Sequence, residues 1–171
     1  MSVPEITETR QYLTFKLGQE SFATDVAKVR EVLDLTPITE IPRTPEFMAG
    51  VINLRGSVVP VVDFRLCFGM SRTVSTRNTC IVVVEVLLES EPVVIGALAD
   101  SVEEVIDIEP EQIQPPPRIG TQIRTEFIRG MGKRESGFTM ILDIDRVFAA
   151  EDLAVARTIE QLARPLVEAV A

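Results

Sequence analysis

The stretch Phe47-Met48-Ala49-Gly50-Val51-Ile52-Asn53-Leu54-Arg55-Gly56-Ser57-Val58-Val59-Pro60-Val61-Val62-Asp63-Phe64 carries more information than any other in this chain, because its skeleton returns as Phe127 to Ile144, FIRGMGKRESGFTMILDI. In both copies a Phe is followed three residues later by Gly (Gly50, Gly130) and thirteen residues beyond that by Asp (Asp63, Asp143).

Upstream, Val29 to Pro37 (VREVLDLTP) returns as Val102 to Pro110 (VEEVIDIEP). These blocks lie 73 residues apart and the later ones 80, so one insertion in the second copy, within Gln112 to Thr125, accounts for the difference. Surface loops accept such insertions at low cost. Chance likeness between aliphatic strands explains the Val and Leu matches but not the Asp, Pro and Gly ones. The reading is one unit of about 75 residues used twice, over approximately 12–76 and 80–148.

The chain has 171 residues, 46% apolar and 25% charged, the composition of an ordinary globular protein. A chain of this size can bury roughly 70% of its unfolded surface without disulfide staples. Its two cysteines, Cys67 and Cys80, sit in apolar runs and read as buried, reduced thiols of a cytosolic protein. The segment Met1 to Arg10 is polar and is expected to be flexible. No apolar run approaches the roughly 18 residues of a membrane span. With a net charge of −9 and no basic segment, neither nucleic acid nor an anionic lipid surface is an expected partner.

Strands dominate the expected secondary structure. Tyr12 to Leu17 alternates Leu13, Phe15 and Leu17 with polar positions, the period of a half-buried strand, and Gly18-Gln19-Glu20 turns it into a hairpin. Ser57 to Val62, Cys80 to Leu88 and Val93 to Ala99 are continuous β-branched runs, expected to be buried on both faces. Pro60 forfeits a ladder bond, so its strand should be an edge or carry a bulge. Asp63 and Asp143 read as N-caps of short helices over Phe64–Phe68 and Ile144–Phe148. From Glu151 onward, Leu153, Ala156, Ile159, Leu162, Ala163 and Leu166 follow a helical period, with Pro165 kinking or ending a C-terminal helical tail over 151–171.

Catalysis finds little support. With no histidine, histidine triads, histidine metal ligands and the commonest general base are absent. The remaining candidates are Cys67 or Cys80 as nucleophile and Asp34 with Asp107 as a carboxylate pair; core packing and strand-end capping explain them better. Gly130-Met131-Gly132-Lys133 lacks the spacing of a phosphate loop and a following Ser or Thr. No catalytic, cofactor or metal site is expected.

At Asn53-Leu54-Arg55-Gly56 followed by Val58-Val59-Pro60-Val61-Val62-Asp63, the sequence resembles the chemotaxis coupling proteins of the CheW family. The likeness continues through Tyr12 to Phe22, Val26 to Val32, Ile41-Pro42, Thr44-Pro45, Asn78-Thr79, Gly96, Asp100, Gln112-Ile113 and Thr125-Glu126. The resemblance implies a mostly β fold of two intertwined, SH3-like five-stranded barrels around a shared core. These would fill 11–150 and agree with the duplication. It also implies a cytoplasmic, non-catalytic adaptor, monomeric in isolation, that binds the cytoplasmic tip of a chemoreceptor and the regulatory domain of the histidine kinase CheA. Carried onto this chain, the receptor-binding groove takes Val29, Glu31, Gly50, Arg55, Gly96 and Val105.

On their own chemistry these six are uneven. Val29 and Val105 could equally be core residues, and Glu31 reads as a solvated charge on a short helix. Arg55, at a Leu-Arg-Gly turn, offers five donors in a planar fork that can tie carbonyls or engage a partner. Two other classes stay open: the same fold in a related array such as one controlling surface motility, and an unrelated small enzyme or peptide-binding barrel. No receiver or kinase segment follows Ala171, which favours a stand-alone coupler.

Overall fold

A computed structural model describes residues 8–88, 90–115, 127–134 and 137–149. The expected tail helix, the segment 1–7 and most of the expected insertion lie outside the described residues. Among the described residues eleven strands form two sheets: β1 (Arg10–Leu17), β2 (Glu20–Asp25), β3 (Val29–Asp34), β4 (Met48–Leu54), β5 (Ser57–Asp63), β6 (Cys80–Leu88), β7 (Glu91–Ala99), β8 (Ser101–Ile108), β9 (Ile113–Gln114), β10 (Ile128–Arg134) and β11 (Gly137–Leu142). Two short helices, α1 (Phe64–Cys67) and α2 (Ile144–Ala149), follow β5 and β11.

One sheet has the order β3-β6-β7-β5-β4 and the other β8-β1-β2-β11-β10-β9. Strand for strand these are the same arrangement: an antiparallel hairpin (β6–β7 or β1–β2) sits between an antiparallel partner (β3 or β8) and a parallel one (β5 or β11). The first barrel is contiguous in the chain, so we call it the inner barrel. The outer barrel is assembled from the segments on either side of it. The repeat is therefore a unit of sequence and not of sheet, because each barrel takes its hairpin from one repeat and its other strands from the other. This interleaving produces the intertwined SH3-like pair.

Each barrel closes by the same device. Beyond β3 the chain crosses to the far edge, where Thr39 pairs with Val51 of β4; beyond β8, β9 crosses and pairs with β10. A Cβ on Gly50 would stand 2.1 Å from the Thr39 carbonyl oxygen, and one on Gly130 would stand 2.4 Å from Ile113 Cγ2. Only glycine lets the crossing strand approach so closely. The repeated Phe-x-x-Gly thus marks barrel closure.

The shared core lies between the barrels. Phe15 and Phe22 of the outer barrel's hairpin stack on Phe64 and Phe68 around α1, and Phe148 of α2 completes the cluster, with neighbouring centroids 5.4 to 5.9 Å apart. Phe64 touches three of these rings. Truncating it to alanine should cost about 3–5 kcal/mol, the range for a buried aromatic. Smaller cores fill each barrel: Ile52, Val59, Val61, Ile81, Val83 and Leu98 in the inner one, Tyr12, Ala23, Ile108 and Ile141 in the outer one.

Three expectations change. β1 is not half-buried: Tyr12 and Thr14 are as buried as Leu13 and Phe15, because the barrel interior lies on one face and the shared core on the other. β5 is not an edge strand and has no bulge at Pro60, which pairs with Val51. The proline is tolerated because the ladder to β7 begins only at Val61, so on that side no partner awaits its missing N–H. Glu31 lies on β3 and not on a helix. The caps were legible: Asp63 accepts from the N–H of Arg65 at 3.1 Å, and Asp143 from that of Arg146 at 3.2 Å.

Candidate docking surface

Arg55 and Gly56 are the two central residues of the β4–β5 turn, whose flanking residues Leu54 and Ser57 are paired. Both have positive φ, 51° and 89°, as a two-residue hairpin turn of the mirror-image type requires. Asn53 fixes the turn by accepting the Gly56 N–H on Oδ1 at 2.8 Å. The strained residue is thus the arginine, held at the tip of the hairpin.

Its guanidinium reaches back to β3 and grips Glu31 with both terminal nitrogens, NH1 to Oε1 at 3.2 Å and NH2 to Oε2. The hydrogen bond from Arg55 holds the Glu31 carboxyl below its ordinary range and raises the arginine in turn. The pair is worth little to stability because it stands in water. Its value lies in geometry: the Arg55 side chain is 71% exposed, so a fork anchored on Glu31 still presents its remaining donors to solvent.

The other expected residues divide. Val105 is 52% exposed on β8. Val29, by contrast, is half-buried and packs against the shared core. Gly50 and Gly96 are buried, and both have packing reasons to be glycine. Gly50 lies under the crossing at Thr39, and a Cβ on Gly96 would meet Ile81 Cγ2 at 2.9 Å and Val61 Cγ2 at 3.2 Å. Val29, Glu31, Gly50, Arg55 and Gly96 all belong to the inner barrel, and Val105 belongs to the outer one.

Sequence reasoning overlooked Val32, Val58 and Phe138, which are 41%, 45% and 47% exposed. The signal was in the repeat: Val32 stands in register with Val105, and Val58 with Phe138. Each barrel exposes an apolar residue at the same two places.

The catalytic alternatives lose their chemistry. Burial pushes the Cys67 thiol up to about 12 and also raises Cys80, so neither is a thiolate near neutrality. Asp34 and Asp107 lie on β3 and β8, the edge strands of different sheets. Among the described residues no group of three or more Cys, Asp or Glu could hold a metal ion. No helix among them is long and apolar enough to cross a membrane.

The described surface thus carries a hairpin-tip arginine fastened to a strand-borne glutamate and exposed apolar residues in matched pairs on two interleaved barrels. The family model of the CheW-like domain matches residues 11–152. The chain belongs to the CheW-like family. Over 149 residues it is 32% identical to the chemotaxis protein CheW of Klebsiella aerogenes, covering 87% of both chains. It is 33% identical over 147 residues to the chemotaxis protein CheW of Rhizobium meliloti, covering 86% of this chain and 92% of that one. The crystal structure of the scaffolding protein TtCheW from Thermoanaerobacter tengcongensis matches with a TM-score of 0.73 and 35% identity, over 82% of this chain and 93% of the other. The CheW-like domain therefore takes in both barrels, with the Arg55 turn and Val105 inside it.

Proposed function

We propose that the chain is a non-catalytic signalling adaptor of bacterial chemotaxis that couples chemoreceptors to the histidine kinase CheA. The observation that carries this reading is the match of the CheW-like domain across both barrels, with relatives that are themselves chemotaxis proteins CheW and a scaffolding protein. Coupling in the cytoplasm needs surfaces and no chemistry, which agrees with unreactive thiols and with exposed side chains suited to protein contacts.

The receptor tip engages Arg55 and Val105, with Val29, Gly50 and Gly96 shaping the backbone and core beneath, and Glu31 aiming the arginine. The regulatory domain of the kinase binds elsewhere on the barrels. The test is co-sedimentation of the purified chain with receptor-bearing membranes and with the kinase, at low and high salt. Val105→Asp places a charge on an exposed site, so the variant folds; it should abolish receptor binding and leave kinase binding intact. Loss of both affinities together would mean one shared surface, and failure of the unmodified chain to bind either partner would refute the adaptor reading.

A further inference from the structure

The backbone at the β4–β5 turn is unfavourable for an arginine. A two-residue turn of this type needs positive φ at both central residues, which glycine takes freely and asparagine or aspartate tolerates, whereas a longer side chain crowds its own backbone there. Gly56 suits its place, and Arg55, at φ 51°, does not. Two contacts hold the arginine in it. Glu31 takes the far end of the side chain on both carboxylate oxygens, and Asn53, two residues before, closes the backbone by accepting the Gly56 N–H at 2.8 Å. Asn53 is exposed and lies opposite Val58 in the β4–β5 ladder, so its amide can be removed without disturbing a core. Where the first repeat has Asn53 and Arg55, the second has Lys133 and Glu135. Lys133, opposite Phe138, has no lone pair to offer a turn N–H, and the nearby arginine stands on the strand at Arg134. The side-chain acceptor and the turn-borne arginine therefore occur together, in the inner barrel.

We propose that Asn53 is a positioning residue for receptor binding: its amide oxygen holds Arg55 in the left-handed conformation, so that the guanidinium is aimed before the receptor arrives. This rests on the reading of Arg55 as a receptor contact. Strained backbone persists only where the surrounding contacts overdetermine it, and an arginine kept in it at an exposed tip, where glycine would relieve the strain, marks a position held for its side chain. Glu31 does not set the aim alone. It grips the end of a long side chain through an ion pair that stands in water, whereas Asn53 fixes the backbone from which that side chain springs. A turn released from Asn53 spreads the arginine over several conformations, and the apparent affinity then falls by the fraction that stays competent. A fork fixed beforehand also loses less side-chain freedom on binding.

Co-sedimentation with receptor-bearing membranes, combined with NMR of the free chain, tests the proposal. A positive φ brings the Arg55 amide and α protons close together, so the strength of their cross-relaxation reports the left-handed population. Asn53→Ala should leave the amide spectrum outside the turn unchanged, lower that population to about a third to a tenth, and weaken receptor binding by the same factor, roughly three- to tenfold, with kinase binding unchanged. Asn53→Gln, whose amide stands one methylene too far out, should behave as Asn53→Ala does. Asn53→Asp keeps an acceptor at the same reach and should hold both quantities within about twofold. Arg55→Gly, which suits the turn but lacks the fork, should unfold no earlier than the unmodified chain and yet lose receptor binding. Receptor binding that does not fall in step with the left-handed population in the two Asn53 variants, or a population that Asn53→Ala leaves unchanged, would overturn the proposal while leaving Arg55 as a contact. Undiminished binding by Arg55→Gly would overturn the reading of Arg55 as a contact and the proposal with it.

Discussion

Glu31 and Glu104 occupy the same position in the two repeats, and each is held by an arginine, yet the two arginines differ in what they leave free. In the inner barrel Arg55 comes from the turn itself, is 71% exposed, and serves one carboxylate. In the outer barrel Arg134 comes from the last residue of β10, is 23% exposed, and holds Glu104 at 2.7 Å with Glu103 at 3.8 Å. It also donates to Ser21 Oγ at 3.5 Å, reaching the start of β2. One residue of displacement along a hairpin separates an exposed fork from a structural clamp. The repeat supplies the same backbone twice, and the side chains at the hairpin tip decide which copy leaves a cation exposed.

The largest expected contrast lies at barrel closure. Gly50→Ala drives a Cβ into the Thr39 backbone at φ +144°, where nothing flexible can yield, and should cost more than about 3 kcal/mol in urea unfolding. Gly130→Ala meets Ile113 Cγ2 at 2.4 Å, a side-chain atom that can turn aside, while the nearest backbone atom, the Gln114 carbonyl oxygen, stands farther off at 3.2 Å, so about 1–3 kcal/mol is expected. Equal losses at the two glycines would show that the crossings are equally rigid.

A smaller effect separates the clamp from the fork. Arg134→Ala should destabilise by about 1 kcal/mol, the partly buried end of the range for ion pairs, and Arg55→Ala should leave the melting temperature nearly unchanged. Receptor co-sedimentation should show the opposite order. Arg55→Lys should not restore binding, because a point charge does not reproduce a planar fork. If binding of the Arg55 variants fell only in proportion to a loss of folded protein, both arginines would be scaffold residues.

The barrel junction adds a pH dependence. The hydrogen bond from Arg65 holds the Asp100 carboxyl below its ordinary range of about 3.9, so its contribution is fully present above that value and fades as pH falls through the depressed one. Urea midpoints measured from pH 6 down to pH 2 should therefore fall less steeply at the acid end in Asp100→Asn than in the unmodified chain. An unchanged acid limb would mean that Asp100 titrates alike folded and unfolded. The smallest expected effect is at the thiols: Cys67 and Cys80 should resist alkylation in the native state at neutral pH and react on unfolding, in both cases because burial raises them.

Much of this molecule was legible in one dimension because its constraints are local. A positive φ at a hairpin tip, a carboxylate capping a helix, and a glycine under a crossing strand each demand a particular residue at one place. The chain shows each of them, the cap and the closure glycine twice, at Gly50 and Gly130 and at Asp63 and Asp143. The doubled β fold and the exposed turn arginine follow from those marks. Which hairpin joins which barrel does not, because it is dictated by the connectors Val26–Lys28 and Asp100, too short for a parallel crossover within one sheet, and only the folded chain shows where the strands around them end. The same limit hid the exposure of Val32, the double-sided burial of β1 and the clamp at Arg134. Those features depend on what packs against a strand, and the periodicity of the strand itself does not record its neighbours.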